Sequence, residues 1–469
     1  MNATRPYPQV RVDAAPVAAG GVLLTEVLAV SGLSSALSAG LERWRKPLAR
    51  HDPAKVLTDL ALSLALGGDC LADAAVLRGE PEVYGPVASE ATVSRTITAL
   101  AADASRVLPA IAKARKQVRA WVWALAGQAS PLHGVSEDEP LVIDLDATIV
   151  ISYSEKEAAA PTFKRTFGHH PLLAFAVHGQ GGSGELLAGL LRPGNAGSNT
   201  GADHIEITRQ ALAGVPGINA SRPGRKVMIR TDGAGASREF LAFLTTRGVA
   251  YSIGWTLPWA EMGEIYQAVT TAGGWTPALT AAGEVNEHAD VADLADLLTQ
   301  RGHLTGWPAG MRIIVRRERP HPGARVAQDR LDDAEGYRLT AFATNTRRGQ
   351  LQALELRHRQ RARCEDRIRC AKDTGLRNLP LKTLAQNEIW LHIVSLASDL
   401  LAWLGLLGLK NGTSRQWEPK RLRLRLFTAP AVIARHARRV ILHLKETHPW
   451  AEVVLAAHQR LRALTAAPT

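Results

Sequence analysis

The run LQALELRHRQRARCEDRIRCAK, Leu351 to Lys372, contains neither Pro nor Gly and is long enough for about six helical turns. Leu351, Leu354 and Ile368 recur at helical spacing and mark its inward face. His358, Arg361, Glu365 and Lys372 lie on that same stripe, within roughly 60° of arc at about 100° per residue. Polar groups in the middle of an inward face cost free energy unless a charged partner meets them there. One reading is a solvated, salt-bridged helix, since Arg357, Arg359, Arg363, Arg367 and Arg369 surround the stripe. The other is a helix that carries an acid and its basic flanks into a site, which requires acidic partners elsewhere in the chain.

Such partners stand upstream. LVIDLDATIVISY, Leu141 to Tyr153, is β-branched and alternating, and it places Asp144 and Asp146 on one face of a strand. Buried carboxylates need a cation or hydrogen-bond donors, so two on one core face are unusual. Two further strands follow, LLAFAVH and LLAGLLR, after a basic hairpin-like stretch with Lys164, Arg165, His169 and His170. A helix from about His204 to Leu212 comes next, then GRKVMIRTDGAG, a strand ending at Asp232 in a glycine turn. The helix Arg238 to Thr246 and the strand VAYSIGWTL complete the series before Leu351–Lys372. Three strands, a helix, a strand, a helix, a strand and a closing helix predict an α/β fold of ribonuclease-H-like order: a mixed-sheet catalytic core with helices on both faces.

In that order the first and fourth strands are neighbours, so Asp146, Asp232 and Glu365 are candidates to converge. Asp144 shares the face of Asp146 and is either its supporting partner or the ligand itself. Three hard carboxylates suit Mg²⁺ or Mn²⁺, two ions about 3.5–4 Å apart, in a phosphoryl transfer. Crowded carboxylates raise one another's pKa, so the site is expected to be loose and partly protonated without metal. Arg361 and Lys372 flank Glu365 and are expected to hold DNA phosphates, Arg through its planar fork and Lys as a point charge. His358 lies one turn further back.

The remaining chain divides around this core. Residues 1–130 read as helical; SEATVSRTITAL, in which Ser89 can cap a helix opening at Glu90, fits a helix-turn-helix as well as it fits a polar bundle face. The core occupies 131–257, and 258–345 is expected to be a β-rich insertion with a helix around Val291 to Leu298 and the strands MRIIVRRE and YRLTAFAT. Within it His288 and Asp290 read as polar residues facing solvent rather than metal ligands. Residues 346–385 hold the catalytic helix, and 386–469 are expected to be a helical, basic C-terminal region that includes WEPKRLRLRLF and Arg435, His436, Arg438, Arg439 and Lys445. With 469 residues, a net charge of +12 and a pI of about 9.9, the chain suits a polyanionic partner. Three cysteines without zinc spacing exclude a disulfide framework, and no signal peptide is recognisable. The apolar run Ile389 to Leu409 is broken by His392, Asp399 and Gly405 and reads as a buried helix. A soluble, cytoplasmic, nucleoid-associated bacterial protein with no membrane partner is expected.

Three boxes in order carry a resemblance. The spacing His358, Arg361, Glu365, Lys372 resembles the Y-R-E-K signature of bacterial insertion-sequence DDE transposases. DLDAT resembles their first-aspartate box, with Thr two residues after the ligand, which selects Asp146; MIRTDGAGA resembles the second and selects Asp232. EKEAAAPTFKRTFGHHPLLAF, LAGLLRPGNAGSNT, IIVRRERPHPGA and RARCEDRIRCAKDTGL resemble the thirteen-eighty group in particular. The resemblance implies a cut-and-paste enzyme that acts on the terminal inverted repeats of its own element and on target DNA, as a homodimer with catalysis in trans and with a hairpin at the transposon end in some relatives. It also implies a Trp in the insertion that stacks on a flipped base, for which Trp255, Trp259, Trp275 and Trp307 are the candidates. The signature's Tyr is His358 here, so this phosphate contact is expected to depend on pH. Two other readings remain: a ribonuclease-H-like nuclease or resolvase, and a transposase derivative that binds DNA without cutting it.

Overall fold

The computed structural model describes residues 17–179, 184–197, 200–319, 333–334, 336–409, 413–436 and 439–464. Arg438, residues 198–199 of the Gly/Asn-rich loop and 320–324 of the stretch IIVRRERPHPGA lie outside them.

A mixed sheet of ten strands organises the molecule. Its centre is built by β1 (Leu141–Ala147), β2 (Leu172–Val177), β3 (Gly184–Leu190), β4 (Val227–Thr231) and β5 (Ala250–Trp255), in the spatial order β3-β2-β1-β4-β5. β1, β2 and β3 are antiparallel neighbours, whereas β1, β4 and β5 run parallel. The parallel pairs need crossover connections. α6 (Gly201–Gly214), which precedes β4, and α7 (Arg238–Thr246), which joins β4 to β5, lie in them. The fourth strand is thus the parallel neighbour of the first, as the order of elements predicts.

The region 258–345 continues this sheet. β6 (Thr276–Leu279), β7 (Val285–Asp293), β8 (Arg312–Glu318) and β9 (Tyr337–Thr344) form an antiparallel run whose last member pairs with β5, Thr344 opposite Ser252. The helix expected at Val291–Leu298 is half strand: β7 runs to Asp293 and a helix occupies Ala295–Gln300. Val291 and Ala292 alternate in register with β8, so sheet pairing overrides the local helical pattern. Asp290 is held by Arg317 at 2.8 Å, as an ordinary surface ion pair.

Helices bury the sheet. Towards the N-terminus lie α1 (Val22–Ser31), α2 (Leu33–Leu41), α3 (Pro53–Leu66), α4 (Glu90–Ala101) and α5 (Ala104–Ala126). α3 shows why: Asp52 caps Ala54 N at 2.7 Å, Pro53 opens the first turn and Gly67, at φ 115°, stops the last. The Leu351–Lys372 run forms two pieces, α8 (Leu351–Arg359) and α9 (Arg363–Ala371), joined by a tightened turn at Gln360–Ala362. α10 (Leu384–Trp403) starts at a Thr383–Gln386 capping box. Together with the turn to Gly408 it is long and apolar enough to cross a membrane, but 89% of that window is buried inside the protein. It packs on α3, α5 and β3 instead.

Buried charge couples these layers. Arg115 on α5 donates to Asp399 on α10 at 2.7 Å, Arg119 reaches the same carboxylate at 3.2 Å, and Trp123 donates to Glu185 on β3 at 2.6 Å. The C-terminal region is not wholly helical. β10 (Pro430–His436) and β11 (Arg439–Leu444) make a hairpin on Val17–Ala18 before α11 (Ala451–Arg462). The Arg/Leu alternation of WEPKRLRLRLF does not split into one basic and one apolar face: Lys420 and Arg421 are exposed, but so is Leu424. Arg423 turns inward and donates to the carbonyls of Leu64, Ala65 and Asp373.

Candidate active site

Side chains at i and i+2 share a strand face, so β1 presents Asp144 then Asp146, and β4 presents Arg230 with Asp232 just past its end. Asp144 is directly opposite Arg230 in the parallel register. On β5, Ser252 is opposite Arg230 in turn. α8 and α9 lie across this row of polar residues and meet it one contact at a time.

The inner contact is a closed cluster. Arg230 donates to both oxygens of Asp144, at 2.6 and 2.9 Å, and Arg367 donates to Oδ2 at 2.6 Å. Arg230 also donates to the carbonyl of Arg357, which ties the sheet to the helix. Asp144 is fully buried, and these donors satisfy it as a buried carboxylate requires. Both of its oxygens are thus occupied by guanidinium donors. Arg367, one of the arginines surrounding the stripe, turns out to be an inward-facing clamp.

One pleat further on, the balance reverses. Asp146 meets a single guanidinium, Arg361, at 3.1 Å from Oδ2, and its Oδ1 accepts from Ala147 N at 2.8 Å. Its carboxyl is pushed up to about 6, first by burial and then by the negative charge of Asp232, against the pull of Arg361. Asp232 caps the glycine turn after β4, accepting from Ala234 N at 3.0 Å. Gly254 lets that turn pass: a Cβ there would stand 2.6 Å from Gly233 N. Asp146 and Asp232 are thus electrostatic neighbours at the ends of adjacent parallel strands, short of positive charge between them.

Glu365 stands one turn beyond Arg361, exposed, with no hydrogen bond or ion pair among the described residues. Its neighbour Cys364 is buried, and its thiol is raised by burial and by the charges of Asp144 and Asp146, which places this turn over β1. The oxygens of Asp146, Asp232 and Glu365 are not gathered within 4.8 Å of one another; Asp69, Cys70 and Asp73 form the only such group found among the described residues, in a self-capped turn. Three carboxylates repel without a cation between them, and Arg361 covers Oδ2 of Asp146.

His358 departs from expectation. Its ring stacks flat on Phe342, 4.3 Å between centroids, and Nδ1 pairs with the Ser252 hydroxyl at 2.9 Å. Burial, with Arg230 and Arg361 nearby, pushes its pKa down to about 3, so the ring is neutral. A phosphate contact titrating near neutrality is not what this packing provides. Lys372 donates to the carbonyl of Ile149 at 3.0 Å, is half-buried, and has its pKa lowered by burial and by Lys164 and Arg377. Arg361 and Lys372 therefore both face the end of β1.

The tryptophans of the insertion are partly buried: Trp255 meets Trp307 edge-on at 4.5 Å, Arg238 lies over Trp307, and Arg317 lies over Trp275. Away from the carboxylates, a cavity of about 660 Å³ opens between the 44–53 loop and α4. Lys46, Arg50, Arg78 and Arg95 line it with Thr92 and Thr96, and no Asp or Glu does. Ser89 stands before α4 but bonds the Thr92 hydroxyl rather than the helix backbone.

A model of the family described as "Transposase DDE domain group 1" matches residues 14–466, and the chain belongs to that family. It is a family of DNA transposases, with metal-dependent nuclease and transposase activity. Among solved structures the chain is similar to a piggyBac transposase synaptic complex with hairpin DNA, seen by cryo-EM. The identity is 10% and the TM-score 0.40, over 89% of this chain and 84% of that one. None of the curated proteins matches it.

Proposed function

We propose that this transposase cleaves and joins the ends of its own insertion sequence by cut and paste, with Asp146, Asp232 and Glu365 as the catalytic carboxylates. The observation that carries the proposal is the pairing of Asp146 with Asp232 at the ends of neighbouring parallel strands, Asp146 raised to about 6. An under-compensated pair of hard oxygen donors fits Mg²⁺ or Mn²⁺. The strand order and the helix over it favour the ribonuclease-H-like reading of the core. When bound, two divalent ions supply activation of the attacking oxygen and stabilisation of the leaving one.

The chain's own residues do the rest. Asp146 and Asp232 present oxygens from a rigid sheet, and Glu365, unpartnered at the rim, closes on them by rotation about its side-chain bonds. Arg361 then exchanges Asp146 for a DNA phosphate, whose oxygens it meets with the same fork. Lys372 holds a second phosphate near Ile149. His358 acts by packing, not by touching DNA. The basic cavity beside α4 grips duplex at the terminal inverted repeats, and two copies on DNA complete the assembly.

The test is a supercoiled-plasmid assay with the DNA flanking the reading frame as donor and Mg²⁺ or Mn²⁺ added. Excision and joining are expected, lost in Asp146→Ala, Asp232→Ala and Glu365→Ala alike. Cleavage without joining would favour a nuclease or resolvase. Full cleavage by all three variants would remove the catalytic assignment, and binding without cleavage under any metal would leave a DNA-binding derivative.

A further inference from the structure

The chain has few aromatic residues besides Trp, seven Phe and six Tyr. Among the described residues, every exposed Phe or Tyr lies in one short segment: Tyr153 at 92% exposure, Phe163 at 70% and Phe167 at 39%. The segment is the basic hairpin-like stretch of the sequence. It forms a separate three-stranded sheet of Val150–Ile151, Ala160–Pro161 and Phe167–His169. It follows the end of β1 on the chain, and Lys372 donates to the carbonyl of Ile149 at its root.

Its tip is stiff and cationic. Thr162 and Thr166 close the turn, backbone to backbone at 2.7 Å and hydroxyl to hydroxyl at 2.7 Å. Between them Phe163, Lys164 and Arg165 all face solvent, with Arg165 at φ 58°. A non-glycine residue in the left-handed region costs about 1–2 kcal/mol, and the Thr162–Thr166 hydrogen bonds hold the turn in that conformation. The root is anchored: Glu157 N donates to the Lys382 carbonyl, and Lys156 donates to that of Leu379. Lys164 also lies close enough to Lys372 to depress its pKa, so the tip and the catalytic helix share one positive field.

Exposed apolar rings lose free energy in water unless something covers them. Rings interleaved with Lys and Arg beside a phosphate-cutting site match unpaired nucleobases, which offer π-faces for stacking and phosphates for the cations. We propose that the 150–169 hairpin is a stacking platform for unpaired bases of the DNA strand next to the cut, with Phe163 and Tyr153 as stacking residues and Lys164 and Arg165 as phosphate contacts. This rests on the transposase reading above and adds to it a binding site for single-stranded DNA.

Fluorescence anisotropy with the full chain separates the two. The probes are a labelled twenty-nucleotide oligo-dT and a blunt duplex of mixed sequence, read alongside plasmid nicking by the wild type. Phe163→Ala and Tyr153→Ala are each expected to weaken oligo-dT binding about tenfold, and to leave duplex binding within about twofold. Phe163→Trp keeps a ring and is expected to retain oligo-dT affinity. The proposal is overturned if oligo-dT affinity is unchanged in both alanine variants, or if both probes weaken alike. It is equally overturned if the variants shift the monomer–dimer balance in sedimentation while oligo-dT affinity holds, because the patch is then a contact between copies. Nicking by the wild type with unaffected variants sinks the platform and leaves the transposase reading standing. Ring-dependent oligo-dT binding without any nicking does the reverse.

Discussion

Asp144 and Asp146 stand one pleat apart on the same face of β1, and the protein treats them in opposite ways. Around Asp144 two arginines supply three charge-assisted hydrogen bonds, and the carboxylate is sealed from water. Around Asp146 there is one arginine, one backbone N–H and a second aspartate, which raises rather than lowers its pKa. The same residue type is thus fully paired in one place and under-paired in the next, and the difference lies in how many cations surround it. A fully paired carboxylate has nothing left to offer an ion. An under-paired one costs stability in the metal-free protein and gains it back when a cation arrives.

The largest expected contrast is in activity. Asp146→Asn and Asp232→Asn are each expected to lower strand cleavage by about three orders of magnitude or more, measured as nicked plasmid per protein, without lowering the melting temperature. Asp144 breaks the comparison from the other side. Asp144→Ala strands Arg230 and Arg367 as buried unpaired cations, and a loss of about 3–5 kcal/mol in unfolding free energy is expected. Chemical denaturation reads it; an Asp144→Ala variant as stable as the wild type would show that the cluster is not a structural rivet.

Proton linkage sharpens the same contrast. Because the carboxyl of Asp146 is raised to about 6 in the folded protein, the fold holds a proton there that the unfolded chain has already released. Its contribution to stability is present below the ordinary carboxylate pKa of about 4 and is lost as pH rises through about 6. In EDTA, Asp146→Asn is therefore expected to match the wild type near pH 4 and to exceed it at pH 7, by at most about 3 kcal/mol. Thermal melts across that window test the sign. The smallest effect belongs to His358. With a pKa near 3 its ring stays neutral from pH 5 to 8, so its carbon-bound proton signals in NMR are expected not to move over that range. A titration centred near 6.5 would restore it as a charged contact.

Much of the frame was legible in the residues. β-branched alternation and breakers placed the five central strands, and their order made β1 and β4 neighbours, which brought Asp146 and Asp232 side by side. What the sequence could not convey was partnership across the fold. Nothing about Arg367 distinguishes it from Arg363 or Arg369 until the helix is laid on β1, and nothing about Asp144 reveals Arg230 beneath it until the parallel register is set. His358 reads as a titrating group because the stacked Phe342 and the Ser252 hydroxyl come from distant strands. At the C-terminus, β10 and β11 were missed because Arg435, His436 and Arg439 resembled a basic helix, whereas the pairing with Val17–Ala18 decides otherwise. The exposed rings of Tyr153 and Phe163 carried no sequence signal, since burial is a property of what packs around them.

The central claim is that Asp146, Asp232 and Glu365 close on divalent ions beside a DNA phosphate. Anomalous scattering from Mn²⁺ in crystals of the protein with its element's end DNA tests it most directly. Two peaks about 3.5–4 Å apart are predicted between Asp146 and Asp232, with a Glu365 oxygen in contact and Arg361 moved from Asp146 to phosphate. Peaks bound without Asp146 and Asp232, or Glu365 still facing solvent with Arg361 in place, would contradict it.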